Sequence, residues 1–151
     1  MEEQSNVVEL LAKNEESIGH LYQVYAERFP EYDEFWSGLA MEEIEHSNWI
    51  SDLMEKVREG SVYIVKGRFK EQAIDTFLGY LGREIAKAKA ETIPLIESLS
   101  TALYIEKSLI ERKYFEVFDS DSAELTHLLE DLRSATEWHV QKIEKVWNEH
   151  R

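Results

Sequence analysis

The sequence predicts an all-α fold, an antiparallel four-helix bundle with a long, helix-containing crossover between its second and third helices. Three observations carry that prediction. Glu, Lys, Leu and Ala are abundant, while there are only two prolines, Pro30 and Pro94, and six glycines, a composition that favours helix almost throughout. Apolar residues recur three and four apart along four long stretches. The links inside the first and last pairs of stretches are short and the middle link is long, so two helical hairpins joined by a crossover are expected. With 151 residues the chain can bury a sizeable core, and it is read as a single domain over 1–151.

Helix one is expected from about Ser5 to Phe29, with Leu11, Ile18, Tyr22, Tyr25 and Phe29 on its apolar stripe. Pro30 stops it, and Glu31 to Asp33 begin a corner. Helix two, from about Tyr32 to Glu59, presents Trp36, Leu39, Ile50, Leu53 and Val57 and ends at Gly60. Ser61 to Lys70, with the β-prone run Val62-Tyr63-Ile64-Val65, reads as a connector that lays Tyr63 and Val65 on the bundle. Ala73 to Ala90 continue the crossover as a helix with Phe77, Leu81, Ile85 and Ala88 on one side. Its Gly79 and Gly82 each weaken it by about 1 kcal/mol relative to Ala; they are read as points of close helix approach, on a face suited to a homodimer. Pro94 marks a break or first turn, and helix three runs from there to about Phe118 with Leu99, Leu103, Ile110 and Val117. Asp119 to Ser122 form a turn that supplies an N-cap. Helix four follows from about Ser122 to Asn148, with Leu125, Leu129, Leu132, Ile143 and Val146. Trp36, Trp49, Trp138 and Trp147 are expected at helix contacts or a subunit interface. His20 and His127 are expected on the surface, and His150, at the frayed end, is assigned no role.

Composition also narrows the function. The formal net charge is −14, which argues against nucleic acid and against an anionic membrane surface, since both need clustered Lys and Arg. There is no cysteine, which excludes disulfides, thiolate catalysis, iron–sulfur clusters and zinc ribbons. Met1 to Asn6 are acidic and polar, unlike a signal peptide, and no apolar run approaches the roughly 18 residues of a membrane span. A cytoplasmic location is therefore expected. No Gly-rich phosphate loop, Ser/His/Asp arrangement or dinucleotide fingerprint is present.

Each of the four stripes is interrupted near its middle by polar residues. On helix one the interruption is Glu15, on helix two Glu43 and His46, on helix three Glu106, and on helix four Thr136 and His139. In an antiparallel bundle the helix centres lie at similar height, so these side chains are expected to converge. An unpaired ionised carboxylate in an apolar core costs several kcal/mol. Three of them would exceed the net stability of about 5–15 kcal/mol typical of a domain. No Lys or Arg sits on the same stripes at that level, and a cation held by carboxylates and imidazoles resolves the conflict. The candidate metal ligands are therefore Glu15, Glu43, His46, Glu106 and His139.

These residues resemble the rubrerythrin branch of the ferritin-like superfamily, which carries a Glu on helices one and three and Glu-x-x-His on helices two and four. Glu15-Glu16-Ser17-Ile18-Gly19-His20-Leu21-Tyr22 looks like the family's first-helix motif, Ala40-Met41-Glu42-Glu43-Ile44-Glu45-His46 like the second, and Ala102-Leu103-Tyr104-Ile105-Glu106 like the third. The resemblance implies two metals, usually iron, with Glu15 and His46 as terminal ligands and Glu43 and Glu106 as bridges. Helix four departs from the pattern: it reads Thr136-Glu137-Trp138-His139, with Thr136 where the family has Glu. Glu137 lies about 100° round the helix and is a poor substitute. Leu109 stands where rubrerythrins have a further carboxylate, and with no cysteine in these 151 residues no rubredoxin-like domain is expected among them.

Three functions are compatible with this pattern. The first is a non-haem di-iron oxidoreductase that reacts with oxygen or peroxide and draws on an external electron donor. The second is a non-catalytic metal-binding bundle, a store, sensor or adaptor, in which Thr136 weakens one position. The third is a degenerate bundle used for protein interaction. Iron is the expected cofactor at one or two ions per chain, and manganese or zinc suits the same ligands. Tyr22, on the core face two turns from Glu15, is expected to support the site.

Overall fold

The structure, a computed structural model, describes residues 2–60, 62–64, 71–111, 118–120 and 123–151. These residues form α1 (Glu2–Arg28), a 3-10 turn (Pro30–Tyr32), α2 (Asp33–Glu59), β1 (Val62–Ile64), α3 (Glu71–Ala90), α4 (Leu95–Glu111), β2 (Phe118–Ser120) and α5 (Ala123–His150). The fold is helical as expected: the four long helices predicted correspond in order to α1, α2, α4 and α5, and the helix predicted between the second and third corresponds to α3. None of the described helices is long and apolar enough to cross a membrane.

Local chemistry accounts for the element ends. Pro30 has no N–H to donate and opens the 3-10 turn, which hands over to α2 at Asp33. Asp33 and Glu34 lie at the positive end of α2 and Lys56 and Arg58 at the negative end, so both complement the helix dipole. Gly60 takes up φ of +84°, the left-handed conformation that ends a helix cheaply only at glycine. The carbonyl of Pro94 accepts the N–H of Glu97 at 3.0 Å, so Pro94 starts α4. At the end of α3, Arg28 reaches over from α1. Its Nε donates to the Ala88 carbonyl at 2.8 Å and its Nη2 to that of Lys89, satisfying carbonyls that a helix end leaves unpaired.

The helices meet along the predicted stripes. Leu11, Ile18, Tyr22 and Tyr25 of α1, Trp36, Leu39 and Ile50 of α2, Leu81 of α3, Leu99 of α4 and Ile143 of α5 are all fully buried. Each such side chain contributes about 1.5–3 kcal/mol of burial free energy. Contacts climb α1 as they descend α2: Ser47 donates to the Ala12 carbonyl at 3.0 Å, and the Tyr25 and Trp36 rings lie 4.8 Å apart. Between α4 and α5, Trp147 Nε1 donates to Ser100 Oγ at 3.0 Å, and Lys107 pairs with Glu144 at 3.2 Å.

Several expectations are corrected. The connector after α2 contains a strand, and Phe118, expected in helix three, together with Asp119 and Ser120, expected in a turn, forms its antiparallel partner. Val62 pairs with Ser120, Tyr63 with Asp119 and Ile64 with Phe118. Left-handed Gly60 breaks the helix, and the β-branched Val62 and Ile64 then favour extended chain once a second strand is at hand. Residues 65–70, 112–117 and 121–122 lie outside the described residues. So do the side chains of Tyr63, Val65, Leu53, Val57, Leu109, Ile110, Val117, Leu125, Leu129 and Leu132. Among the described residues of the chain itself Gly79 and Gly82 make no close helix approach: a Cβ at Gly82 would meet nothing within 4 Å, and one at Gly79 only the tip of Arg83. Of its two expected places Trp138 does not take the helix contact within the chain: it is exposed, because its position faces away from the stripe that carries His139. His150 is not idle; it contacts the Tyr32 hydroxyl through Nε2.

Candidate metal centre

Helix geometry places the polar residues where their spacing predicts. Residues three apart on a helix share a face, so Glu43 and His46 emerge together from α2, as do Thr136 and His139 from α5. Glu15 enters from α1 and Glu106 from α4. All are buried: Glu15 and Glu43 are 1% exposed, His46 5%, Thr136 2%, and Glu106 and His139 0%. His20 and His127 are exposed, as expected.

One glycine brings the first two helices together here. A Cβ on Gly19 would sit 3.2 Å from the Ala40 carbonyl oxygen, 3.2 Å from Ile44 Cγ1 and 3.5 Å from Glu43 Cβ. The bare backbone at Gly19 therefore sets the separation of α1 and α2 beside Glu15 and Glu43. The close approach expected at the crossover glycines is found at this position instead.

The five candidate ligands form two groups, Glu15–Glu43–His46 and Glu43–Glu106–His139. In each group one potential ligand atom per residue lies within 4.8 Å of the others, and Glu43 belongs to both. His139 Nδ1 is 2.8 Å from Glu43 Oε1 and 3.5 Å from Glu106 Oε1. His46 Nδ1 is 3.8 Å from Glu43 Oε2. The two imidazoles stack, with centroids 5.5 Å apart and planes 22° apart. Tyr22 donates its hydroxyl to Glu106 Oε1 at 2.9 Å, so it supports Glu106 and not the nearer-in-sequence Glu15.

Crowding sets the electrostatics. Burial, and then the Glu43 charge, push Glu15 well above the usual carboxylate range. The same two causes raise Glu106 to about 8, against the opposing pull of His139. Burial alone would raise Glu43 as well. The close approach of Glu15, of His139 and of His46 outweighs it and holds Glu43 well below the usual range. Burial disfavours charge on His139, yet its bonds to Glu106 and Glu43 win and raise it to about 11.

A cation fits this donor set. Both oxygens of Glu15 and one oxygen each of Glu43 and Glu106 are buried without a hydrogen-bond partner. Among the described residues no Lys or Arg is buried to neutralise them. Carboxylates and imidazoles at this spacing are the ligands that divalent iron, manganese and zinc accept. Glu137, as expected from its helix position, faces outward and pairs with Arg133 at 3.6 Å.

One participant was not legible from the apolar stripe. Glu42 sits one residue before Glu43 and its side chain is 40% exposed, yet its Oε2 contacts His139 Nε2. A second, weaker stripe could have revealed it. Phe35, Glu42 and His46 are spaced by seven and four, and they line the side of α2 that meets α5, where Lys142 lies over the Phe35 ring and His46 stacks on His139. Comparison of the chain with family models, with curated proteins and with solved structures finds no match.

Proposed function

We propose that the chain is an antiparallel, ferritin-like four-helix bundle that holds metal in its two Glu/His groups, iron foremost, and acts as a non-haem di-iron oxidoreductase on oxygen or peroxide. The observation that carries this reading is the pair of buried triads joined through Glu43. Glu15 and His46 would complete one position, Glu106 and His139 the other, with Glu43 common to both. Iron bound there supplies the redox chemistry that protein side chains lack. The chain's own part is to orient and enclose. Tyr22 fixes the Glu106 carboxylate and keeps a hydroxyl proton beside it. The stacked imidazoles and surrounding apolar side chains limit water. These 151 residues hold no cysteine for an iron–sulfur centre, so reducing equivalents would come from outside the bundle.

Thr136 favours a second reading, a metal-binding protein without turnover. It is buried where a fourth carboxylate would complete the second position, so that position has one anionic ligand fewer. Metal content separates the two, measured by elemental analysis on protein as purified and after anaerobic ferrous loading. Two irons per chain, followed by oxygen or peroxide consumption, support the oxidoreductase. One tightly held ion with no consumption supports the non-catalytic reading. No metal under either condition sinks both and leaves an interaction bundle.

A further inference from the structure

We infer that Glu42 is a positioning residue for the metal position built on Glu43, Glu106 and His139. In this arrangement its carboxylate accepts the Nε2–H of His139 and so presents Nδ1 to the metal. The inference rests on the metal-binding reading above.

The geometry of His139 leaves little choice. The ring is fully buried, and its Nδ1 faces the two carboxylates that share its group, Glu43 and Glu106. Its other nitrogen faces Glu42 Oε2. Stacking on His46 fixes the plane of the ring. A neutral imidazole has one N–H and one lone pair, and an ionised carboxylate can only accept. Glu42 therefore draws the proton to Nε2 and frees the Nδ1 lone pair for a cation. It lies across the ring from Glu43 and Glu106 and outside both ligand groups, so it acts through His139 and does not ligate. Hydrogen bonding of a ligand imidazole to a carboxylate fixes its orientation and raises its basicity.

Glu42 also addresses the shortage at this position. α5 contributes Thr136 in place of a carboxylate, and Glu137 is engaged with Arg133 at the surface. The negative charge missing from α5 is partly supplied from α2, one atom layer further out. Glu42 can do this because position 42 lies at the rim of the α2–α5 contact, where its 40% exposed side chain needs little desolvation.

Redox-silent zinc provides the test, titrated into the full chain against a chromophoric chelator for the wild type, Glu42→Ala and Glu42→Gln. For Glu42→Ala, one equivalent should weaken by about 10- to 100-fold while the other keeps its affinity. Glu42→Gln, whose amide oxygen still accepts, should lose less. In zinc-loaded protein labelled with ¹⁵N-histidine, His139 should carry its proton on Nε2 and its metal on Nδ1. The Nε2–H should exchange faster in Glu42→Ala. Removing the acceptor of a buried Nε2–H should lower the metal-free melting temperature of Glu42→Ala as a whole, whereas only one zinc equivalent should weaken, and that selectivity separates positioning from a folding defect. Unchanged zinc affinity in Glu42→Ala, equal weakening of both equivalents, or metal on Nε2 each overturns the proposal while leaving metal binding intact. A wild type that takes up no zinc or iron overturns the metal reading itself, and this inference with it.

Discussion

His46 and His139 are the only basic side chains among the described buried residues, set against three buried carboxylates, and this shortage governs how single residues respond to pH and substitution. Glu15 and Glu106 hold protons more tightly in the folded chain than in the unfolded one. His139 does so as well, and the stability it adds is complete below about 6.5 and lost as pH rises through about 11. Only Glu43 works in the opposite sense, and its contribution fades well below the ordinary carboxylate pKa of 4.5. The metal-free protein should therefore gain stability as pH falls from about 8 towards 5. Metal-loaded protein should lose stability over the same interval, because protons compete for the ligands. Melting temperatures of chelated and loaded samples at both pH values would show the opposite slopes; parallel slopes would count against metal binding. Thr136→Glu should behave in the same divided way. It should destabilise the metal-free chain by adding a fourth buried carboxylate and tighten the weaker metal equivalent, as read by melting and by zinc titration. Tyr22→Phe should cost about 1–3 kcal/mol in metal-free protein by stripping a buried acceptor of its donor, as denaturant unfolding would measure.

At the scale of elements, what was legible depended on whether a property is local. The stripes on α1, α2, α4 and α5, and the polar gaps in them, follow from helical periodicity alone. The five candidate ligands could be named because each gap lies at mid-helix and the helices run alongside one another. The β1–β2 pair could not be anticipated in the same way, since a three-residue strand is defined by a partner far along the chain and not by its own sequence. Glycines taught a similar lesson. Composition could not rank them, and Gly19 proved to be the close approach while Gly82 faces open space. Gly82→Ala should stabilise the protein by up to about 1 kcal/mol, the helix-propensity gain with nothing to oppose it. Gly19→Ala gains the same propensity but drives a methyl group against the backbone oxygen of Ala40, which cannot swing aside. The net result should be lower stability and reduced metal uptake, as α2 and Glu43 are displaced. Comparing the two variants by thermal melting and elemental analysis checks both outcomes. A stabilised Gly19→Ala with full metal content would show that α1 and α2 can separate without cost to the site.

Across the whole molecule, the three carboxylates and two imidazoles join four helices that are otherwise tied, among the described residues, by apolar contact, the buried Ser47–Ala12 bond and a few surface bonds. Arg28 fastens the end of α3 to α1, and β1 with β2 joins the chain leaving α2 to the chain approaching α5. Sharing Glu43 between both triads has a consequence for the order in which they fill. Two divalent ions bring four positive charges, whereas Glu15, Glu43 and Glu106 supply three negative ones. On the proposed reading a first ion would claim most of that charge, and a second would meet a depleted and repelling site. Occupancy at the two positions would then be thermodynamically linked: each would lower the other's affinity by the same factor, whichever filled first. Such a protein would titrate in two separated steps over a wide range of free metal, responding to supply as a graded gauge and not as a switch.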